Sequence, residues 1–240
     1  NEASEGDLGK VLPASPLRLA YLETHTLASA YRAVSANKLQ DAEHEFRSLL
    51  YMLVLTPAVD DTEAQRISEL MGECREYLIG ISIELERRAL ATSDPDQVAR
   101  ILELAALFTH VQMQPQHQML ALRIAMMEAR RVGNLAMAGH FARRLIELQP
   151  PAKVVQVAQQ IVSLSDRQPR DVVPVPSYSV HETDYVVCAG SHTLIPAGGA
   201  NAVLDPLTGA KYLPEFRGTL CKVSGISEVG RFATGLRNLA

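Results

Sequence analysis

Tryptophan is absent, and Phe and Tyr together make up only 5% of the 240 residues. A groove that grips short peptides through exposed aromatics is therefore poorly supplied, and a helical-repeat peptide adaptor has little compositional support. Cysteine is scarce too. Cys74, Cys188 and Cys221 are an odd and small set, so no disulfide framework organises the fold, and a reducing, intracellular compartment is expected. No dense block of Lys and Arg is present, and the pI near 6.0 removes the electrostatic footprint that nucleic-acid binders use to release phosphate counterions. Nucleic acid is not an expected partner. Long apolar runs are missing as well: the longest, Leu49 to Leu55 between Arg47 and Pro57, falls far short of the roughly 18 residues that cross a bilayer. The start, Asn1 to Asp7, is acidic and polar and lacks the basic and apolar regions of a signal peptide, and with no initiator Met the sequence reads as a fragment.

What is present is ordinary globular usage, with 47% hydrophobic and 21% charged residues and a formal charge of -4. That length supports one or two domains with a real core. Up to about Asp166 the apolar residues recur every three or four positions, the period of a helix with one buried stripe. Leu19, Leu22, Leu27, Ala30, Tyr31 and Val34 mark a first helix that Pro16 can open and Asn37 ends; Ala42, Phe46, Leu49, Leu50 and Leu53 mark a second, stopped by Pro57. Asp60 or Asp61 caps a long third helix through Leu85. Ser93-Asp94-Pro95 opens a fourth, Pro115 a fifth, Leu135 to Leu148 a sixth after the Gly133-Asn134 reversal, and Val154 to Leu164 a seventh.

Short-looped helical pairs in succession predict a mainly α fold, an α-solenoid or irregular bundle of helical hairpins. Two stretches have the packing logic of tetratricopeptide pairs: Ala30-Tyr31 with Asn37, Ala42, Phe46 and Leu49, and Asn134 with Ala138, Phe141, Ala142, Leu145 and Pro150. From Arg167 to Ser177 three prolines mark an extended linker. Beyond it, β-type runs at Tyr185 to Cys188, Val203-Leu204, Thr219 to Val223 and Ile226 to Val229 predict a small antiparallel β module. The expected organisation is an extended or disordered segment 1–15, a helical domain 16–166, a linker 167–177 and a β-rich module 178–240.

Chemistry is hard to find. Cys188 and Cys221, with His181, His192 and Asp205 near them in sequence, have the right atoms for zinc, but the close-spaced knuckle pairs of a zinc ribbon are missing, and two half-buried thiols in a β core are the simpler reading. Ser191, His192 and Asp205 make a poor hydrolase set, because adjacent Ser and His on a strand face opposite ways. Gly198-Gly199 lacks the strand-to-helix context of a phosphate cradle and marks a turn. His110 and His117 flank Pro115, fall on different helices, and suit capping or partly buried roles. The pairs Arg87-Arg88, Arg130-Arg131 and Arg143-Arg144 sit late in helices, where they offset the negative helix end more simply than they face anionic lipid. Met113, Met119, Met126 and Met127 read as adaptable core. No catalytic, cofactor or metal residue is assigned, and no small-molecule substrate is expected.

One resemblance runs along nearly the whole chain from about Pro16. Tyr31 to Leu55, Cys74 to Leu85, Glu103 to His110 with Gln114-Pro115, Phe141 to Leu148, Asp205 to Tyr212, Pro214 to Gly218 and Gly235 to Arg237 resemble, in order, the carboxy-terminal region of the coatomer alpha-subunit family, part of the COPI vesicle coat. The resemblance implies a structural subunit of a coat in Golgi-to-ER retrograde and intra-Golgi transport. It implies a cytoplasmic protein, peripheral on Golgi membranes and COPI-coated vesicles. Its implied partners are other coatomer subunits and, above all, the epsilon subunit, a tetratricopeptide protein whose main docking hairpin on alpha is expected upstream of Asn1. Family members often carry further cysteines where Asp205 and Lys211 stand here, which weakens a zinc reading further. The alternatives are a thiol- or zinc-dependent hydrolase using the β module, and the helical-repeat peptide adaptor.

Overall fold

The computed structural model describes residues 18–91, 94–179, 186–195 and 201–232, apart from the side chains of Pro95 and Asp96. Pro16, Ser93, His181 and the Gly198-Gly199 turn lie outside the described residues. Contacts gather into two compact units that divide between Cys74 and Arg75.

In the first unit, helix α1 runs in three pieces: an α-helical turn Leu19–Tyr21, a π-helical stretch Leu22–Leu27 and an α-helix Ala28–Ser35. The irregular stretch contains Thr24, whose hydroxyl bonds back to the Ala20 carbonyl at 2.8 Å and so competes with the regular helical ladder. Asn37 takes the left-handed conformation (φ 60°), and the Lys38 amide bonds to the Ala33 carbonyl, the six-to-one closure that reverses a chain after a helix. Helix α2, Leu39–Leu55, returns with Phe46, Leu49, Leu50 and Leu53 wholly buried, and the Tyr31 and Phe46 rings lie 6.0 Å apart between the two helices. This is the aromatic-filled hairpin the sequence predicts.

Helix α3, Asp61–Ala89, spans the division between the units. Asp60 caps it: its Oδ1 accepts the Glu63 amide at 2.8 Å, while Glu63 Oε2 reaches back to the Val59 amide at 2.7 Å. Up to Cys74 it buries Ile67, Leu70 and Met71 in the first unit, and Tyr31 hydrogen-bonds to Glu73. From Arg75 it belongs to the second unit, burying Tyr77, Leu78, Ile81 and Ile83.

The second unit continues with α4 (Pro95–Phe108), α5 (Pro115–Arg131), α6 (Leu135–Glu147) and α7 (Ala152–Arg167), and α4 to α7 pack in succession, each on the next in sequence. Pro95 and Pro115 sit at first helical turns, as expected. Gly133 (φ 84°) turns α5 into α6, with the Asn134 amide bonded to the Ala129 carbonyl. The proline-rich stretch after α7, expected to be extended, bends at 172–173 and turns at 176–177, where the Tyr178 amide bonds to the Val175 carbonyl, and it is fastened to the helices. Asn134, buried at the α5–α6 turn, accepts the Val172 and Val173 amides at 2.8 Å each and donates to the Val173 carbonyl at 2.7 Å.

Among the described residues four short strands follow: β1 (Val186–Val187) pairs antiparallel with β2 (Leu194–Ile195), and β3 (Val203–Leu204) with β4 (Lys211–Tyr212). The fold is therefore mainly α with a small antiparallel β part, as the residue pattern indicates. The positions of the strands need correcting. The runs Thr219 to Val223 and Ile226 to Val229 form a turn-rich hairpin with a single bridge, Leu220 to Glu228, while β2 and β4 fall outside the expected β-type runs. The cause is local: Gly225 (φ 71°) and the Gly225-to-Cys221 backbone bond fold the chain over within five residues, leaving no length for a ladder.

Candidate functional site

A polar cluster of the second unit holds the loop Cys188 to Thr193 against α3 and α4. The loop closes on itself through the Cys188 amide to the Thr193 carbonyl (2.8 Å) and the His192 amide to the Cys188 carbonyl (2.9 Å). His192 is left-handed (φ 51°), a region uncommon outside glycine but one in which Asn, Asp and His are enriched. Here three successive carbonyls meet two cations. Lys222 Nζ donates to Gly190 O at 2.5 Å, Arg100 Nη2 to Ser191 O at 3.0 Å and Arg100 Nη1 to His192 O at 3.1 Å.

Glu86, on α3, joins the cluster from the other side. Its Oε1 accepts Arg100 Nη2 at 2.7 Å, and its Oε2 lies 2.5 Å from His192 Nδ1. Arg100 also pairs with Glu103 at 2.8 Å. Burial works to raise the Glu86 carboxyl, yet the bonds from His192 and Arg100 outweigh it and hold the group below its ordinary range. Burial pushes His192 down, opposed by Glu86 and reinforced by the charges of Arg100 and Lys222. The ring is 6% exposed, and its Nε2 has no hydrogen-bond partner among the described residues. Every charge in the cluster is turned to a fixed protein partner, which suits anchorage rather than proton transfer to a bound reactant.

Among the described residues, the candidates from the sequence are not brought together. Ser191 shares a hydrogen bond with Thr193 (2.7 Å), His192 answers to Glu86, and Asp205 is buried where Oδ2 accepts the Thr208 amide (2.8 Å) and hydroxyl (2.6 Å) and Oδ1 the Ser227 hydroxyl (2.5 Å). Cys188 and Cys221 are buried thiols in two separate hydrogen-bonded pockets. Cys188 Sγ accepts the Gly190 and Leu213 amides at 3.4 and 3.3 Å. The Tyr212 hydroxyl accepts the Lys222 amide at 2.9 Å and lies 3.2 Å from Cys221 Sγ, which also accepts the Ser224 amide at 3.4 Å. Lys211 is exposed, and among the described residues no group of three or more His, Cys, Asp or Glu is placed to hold a metal ion.

His117 is buried with Nδ1 2.7 Å from the Tyr77 hydroxyl, and His110 Nε2 is 3.0 Å from the Tyr178 hydroxyl; burial, with the charges of Arg144 and His140, pushes His110 down to about 4. Five of the six paired arginines bind protein groups: Arg87 and Arg88 converge on the buried Glu84, Arg87 also reaches Glu128, Arg131 pairs with Glu128, Arg143 with Asp166, and Arg144 donates to the Thr109 carbonyl at 3.1 Å. Of the four methionines only Met126 is fully buried, and Met127 is 44% exposed, so the group is not one core cluster. A cleft of about 440 Å³ in the second unit is lined by Arg75, Glu76, His110, Gln112, Val186 and Lys211 among others, but Arg75 is tied to Glu76 and to the Thr208 carbonyl. Glu86 gives no signal in the sequence, because its partner His192 lies 106 residues away, and Arg100 reaches the same loop across 91 and 92 residues. No helix among the described residues is long and apolar enough to cross a membrane.

The whole sequence, residues 1–240, matches the family model described as the C-terminus of the coatomer (COPI) alpha subunit. The chain is 32% identical over 238 residues to the putative coatomer subunit alpha of Schizosaccharomyces pombe, covering 99% of this chain and 19% of that protein. It is 32% identical over 228 residues to coatomer subunit alpha of Dictyostelium discoideum, covering 91% of this chain and 18% of the relative. With coatomer subunit alpha of Saccharomyces cerevisiae the identity is 32% over 208 residues, 86% of this chain and 17% of the relative. The chain thus spans less than a fifth of the length of these relatives.

Proposed function

The chain belongs to the family formed by the C-terminal region of the coatomer (COPI) alpha subunit, and on that premise we propose that it is a structural assembly part of the COPI coat that docks the epsilon subunit. The match along all 240 residues carries this reading. The geometry supports it: buried helical stripes and a latched β module give a rigid surface, and the ionisable groups of the best-formed polar cluster are spent on holding that surface together. Its work is binding, with no bond made or broken. Its place is then peripheral, on Golgi membranes and COPI-coated vesicles in retrograde and intra-Golgi transport, brought there by the coat as a whole.

The test is co-purification with the epsilon subunit. The chain extended upstream to include the alpha-subunit docking hairpin is expected to elute with epsilon as one complex, and the 240-residue chain to bind it more weakly. An extended chain that elutes apart from epsilon at micromolar concentration overturns the reading.

A further inference from the structure

The cleft of about 440 Å³ in the second unit combines an aliphatic lining with donors that the fold leaves unused. The buried Ile79 and Val111 and the half-buried Val186 and Val187 of β1 supply the apolar part. Arg75 is fixed in the wall: Nε donates to Glu76 Oε1 at 3.0 Å and Nη1 to the Thr208 carbonyl at 2.9 Å. Gly209 (φ 70°) permits that approach, since a Cβ there would stand 3.2 Å from Nη1. Two nitrogens of the guanidinium are thus spent on holding it still, and Nη2 has no partner among the described residues. Lys211 of β4 is exposed, and its Nζ has no partner among the described residues either. The carboxylate of the cleft is already taken: Glu76 accepts Arg75 and, at 3.4 Å, the Gln112 amide. Burial pushes His110 down to about 4, so its ring brings no charge at neutral pH. Arg75 and Lys211 against Glu76 leave the cleft with a net positive charge and with free donors facing no free acceptor.

We propose that this cleft binds a carboxylate carried on a short aliphatic peptide, its oxygens taking Arg75 Nη2 and Lys211 Nζ while a neighbouring valine-sized side chain covers Ile79 and Val111. Charge-assisted bonds to a carboxylate belong to the strong class, and a guanidinium already held by Glu76 and Thr208 loses little further freedom in making one. The charge balance selects a monoanion, because a phosphate of nearly double charge would be only partly neutralised beside Glu76. The volume lies toward the small end of ligand sites, which suits a di- or tripeptide. An acidic side chain and a chain end present the same group to these donors. The inference does not depend on the coat assignment.

Three peptides titrated into the 240-residue chain test this: acetyl-Val-Glu-Val-amide with a side-chain carboxylate, acetyl-Val-Val with a terminal one, and acetyl-Val-Gln-Val-amide with none. Binding is read from the backbone amide NMR signals of Gln112, Val187 and Lys211. At least one acid peptide is expected to bind with a Kd of about 0.1–1 mM, and the glutamine peptide about tenfold more weakly or worse. Either acid peptide supports the proposal, and the one that binds identifies the source of the carboxylate. Lys211→Gln changes an exposed side chain that holds nothing among the described residues, so the variant keeps its fold and is expected to bind the acid peptide about three- to tenfold more weakly. Raising salt from about 50 mM to about 500 mM is expected to weaken binding as well. The absence of saturable shifts at these amides up to about 10 mM peptide overturns the proposal. So does equal binding of the glutamine peptide, or equal binding by the Lys211→Gln chain.

Discussion

His192 and Glu86, 106 residues apart, are joined by a 2.5 Å hydrogen bond in which the imidazole Nδ1–H donates to the carboxylate. The same carboxylate receives Arg100, which in turn holds the Ser191 and His192 carbonyls, so one acidic side chain organises the attachment of the β loop to two helices. Glu86→Ala is expected to destabilise the chain by about 2–3 kcal/mol, because it leaves a buried imidazole donor unsatisfied and takes from Arg100 one of its two carboxylate partners, Glu103 remaining. Glu86→Gln, which keeps an acceptor, is expected to cost about half as much. Urea denaturation of both variants checks the order, and equal stabilities contradict it.

Acid is expected to weaken the second unit before its carboxylates titrate. His110 stays neutral in the folded chain down to about 4, whereas an unfolded chain charges it below about 6.5. The unfolded state therefore takes up the proton first. Stability is full above pH 6.5, falls between 6.5 and about 4, and stops falling through this group below that, a loss of at most about 3 kcal/mol. His192, also lowered, acts in the same direction, and Glu86 adds a further loss at lower pH, as it is protonated in the folded chain. Urea midpoints at about pH 7, 5.5 and 4.5 read this directly; a flat profile contradicts it.

Asn134→Ala removes one side chain and frees three backbone partners. A destabilisation of about 2–3 kcal/mol is expected, with Asn134→Asp recovering part of it, since the carboxylate still accepts both amides but cannot donate to the Val173 carbonyl. Thermal unfolding of the two variants separates this from a helix-turn effect, which Asp would satisfy as well as Asn.

Helices α6 and α7 approach closely at Gly139, where an added Cβ would stand 2.2 Å from Ser165 Oγ and 2.4 Å from Ser165 Cβ. Gly139→Ala is expected to cost about 2 kcal/mol or more by overpacking. Ser165→Gly in the same chain is expected to recover part of that loss, because it removes both atoms in the clash. A double variant no more stable than Gly139→Ala alone would contradict this account.

All three cysteines are buried, and burial with the neighbouring Glu73 pushes the Cys74 thiol well above its ordinary range. Native chain is expected to react with a thiol reagent at least a hundredfold more slowly than chain in denaturant. Rapid modification of Cys188 or Cys221 in the folded state would revive a thiol-dependent activity.

The helical rhythm is legible because each stripe of apolar residues needs only its own 3.6-residue period, and the stops at Asn37, Pro57 and Gly133 act through backbone geometry within a few positions. The β part is harder to read. Strands of two residues carry no alternation to count, so β2 and β4 leave no trace, while the Thr219 to Val223 run resembles a strand although Gly225 folds it into a hairpin. Asn134 is visible as a turn residue but not as the clasp on Val172 and Val173, 38 and 39 residues away.

Sequence alone determined the helices and the family, since periodicity and ordered blocks are properties of the chain read in one dimension. Tertiary structure decided which charges meet: that Glu86 answers to His192 and Arg100, that Glu84 answers to Arg87 and Arg88, and that a proline-rich stretch lies fastened over Asn134. A side chain's partner is set by proximity in space, and for residues far apart in the chain the folding of everything between them determines that proximity.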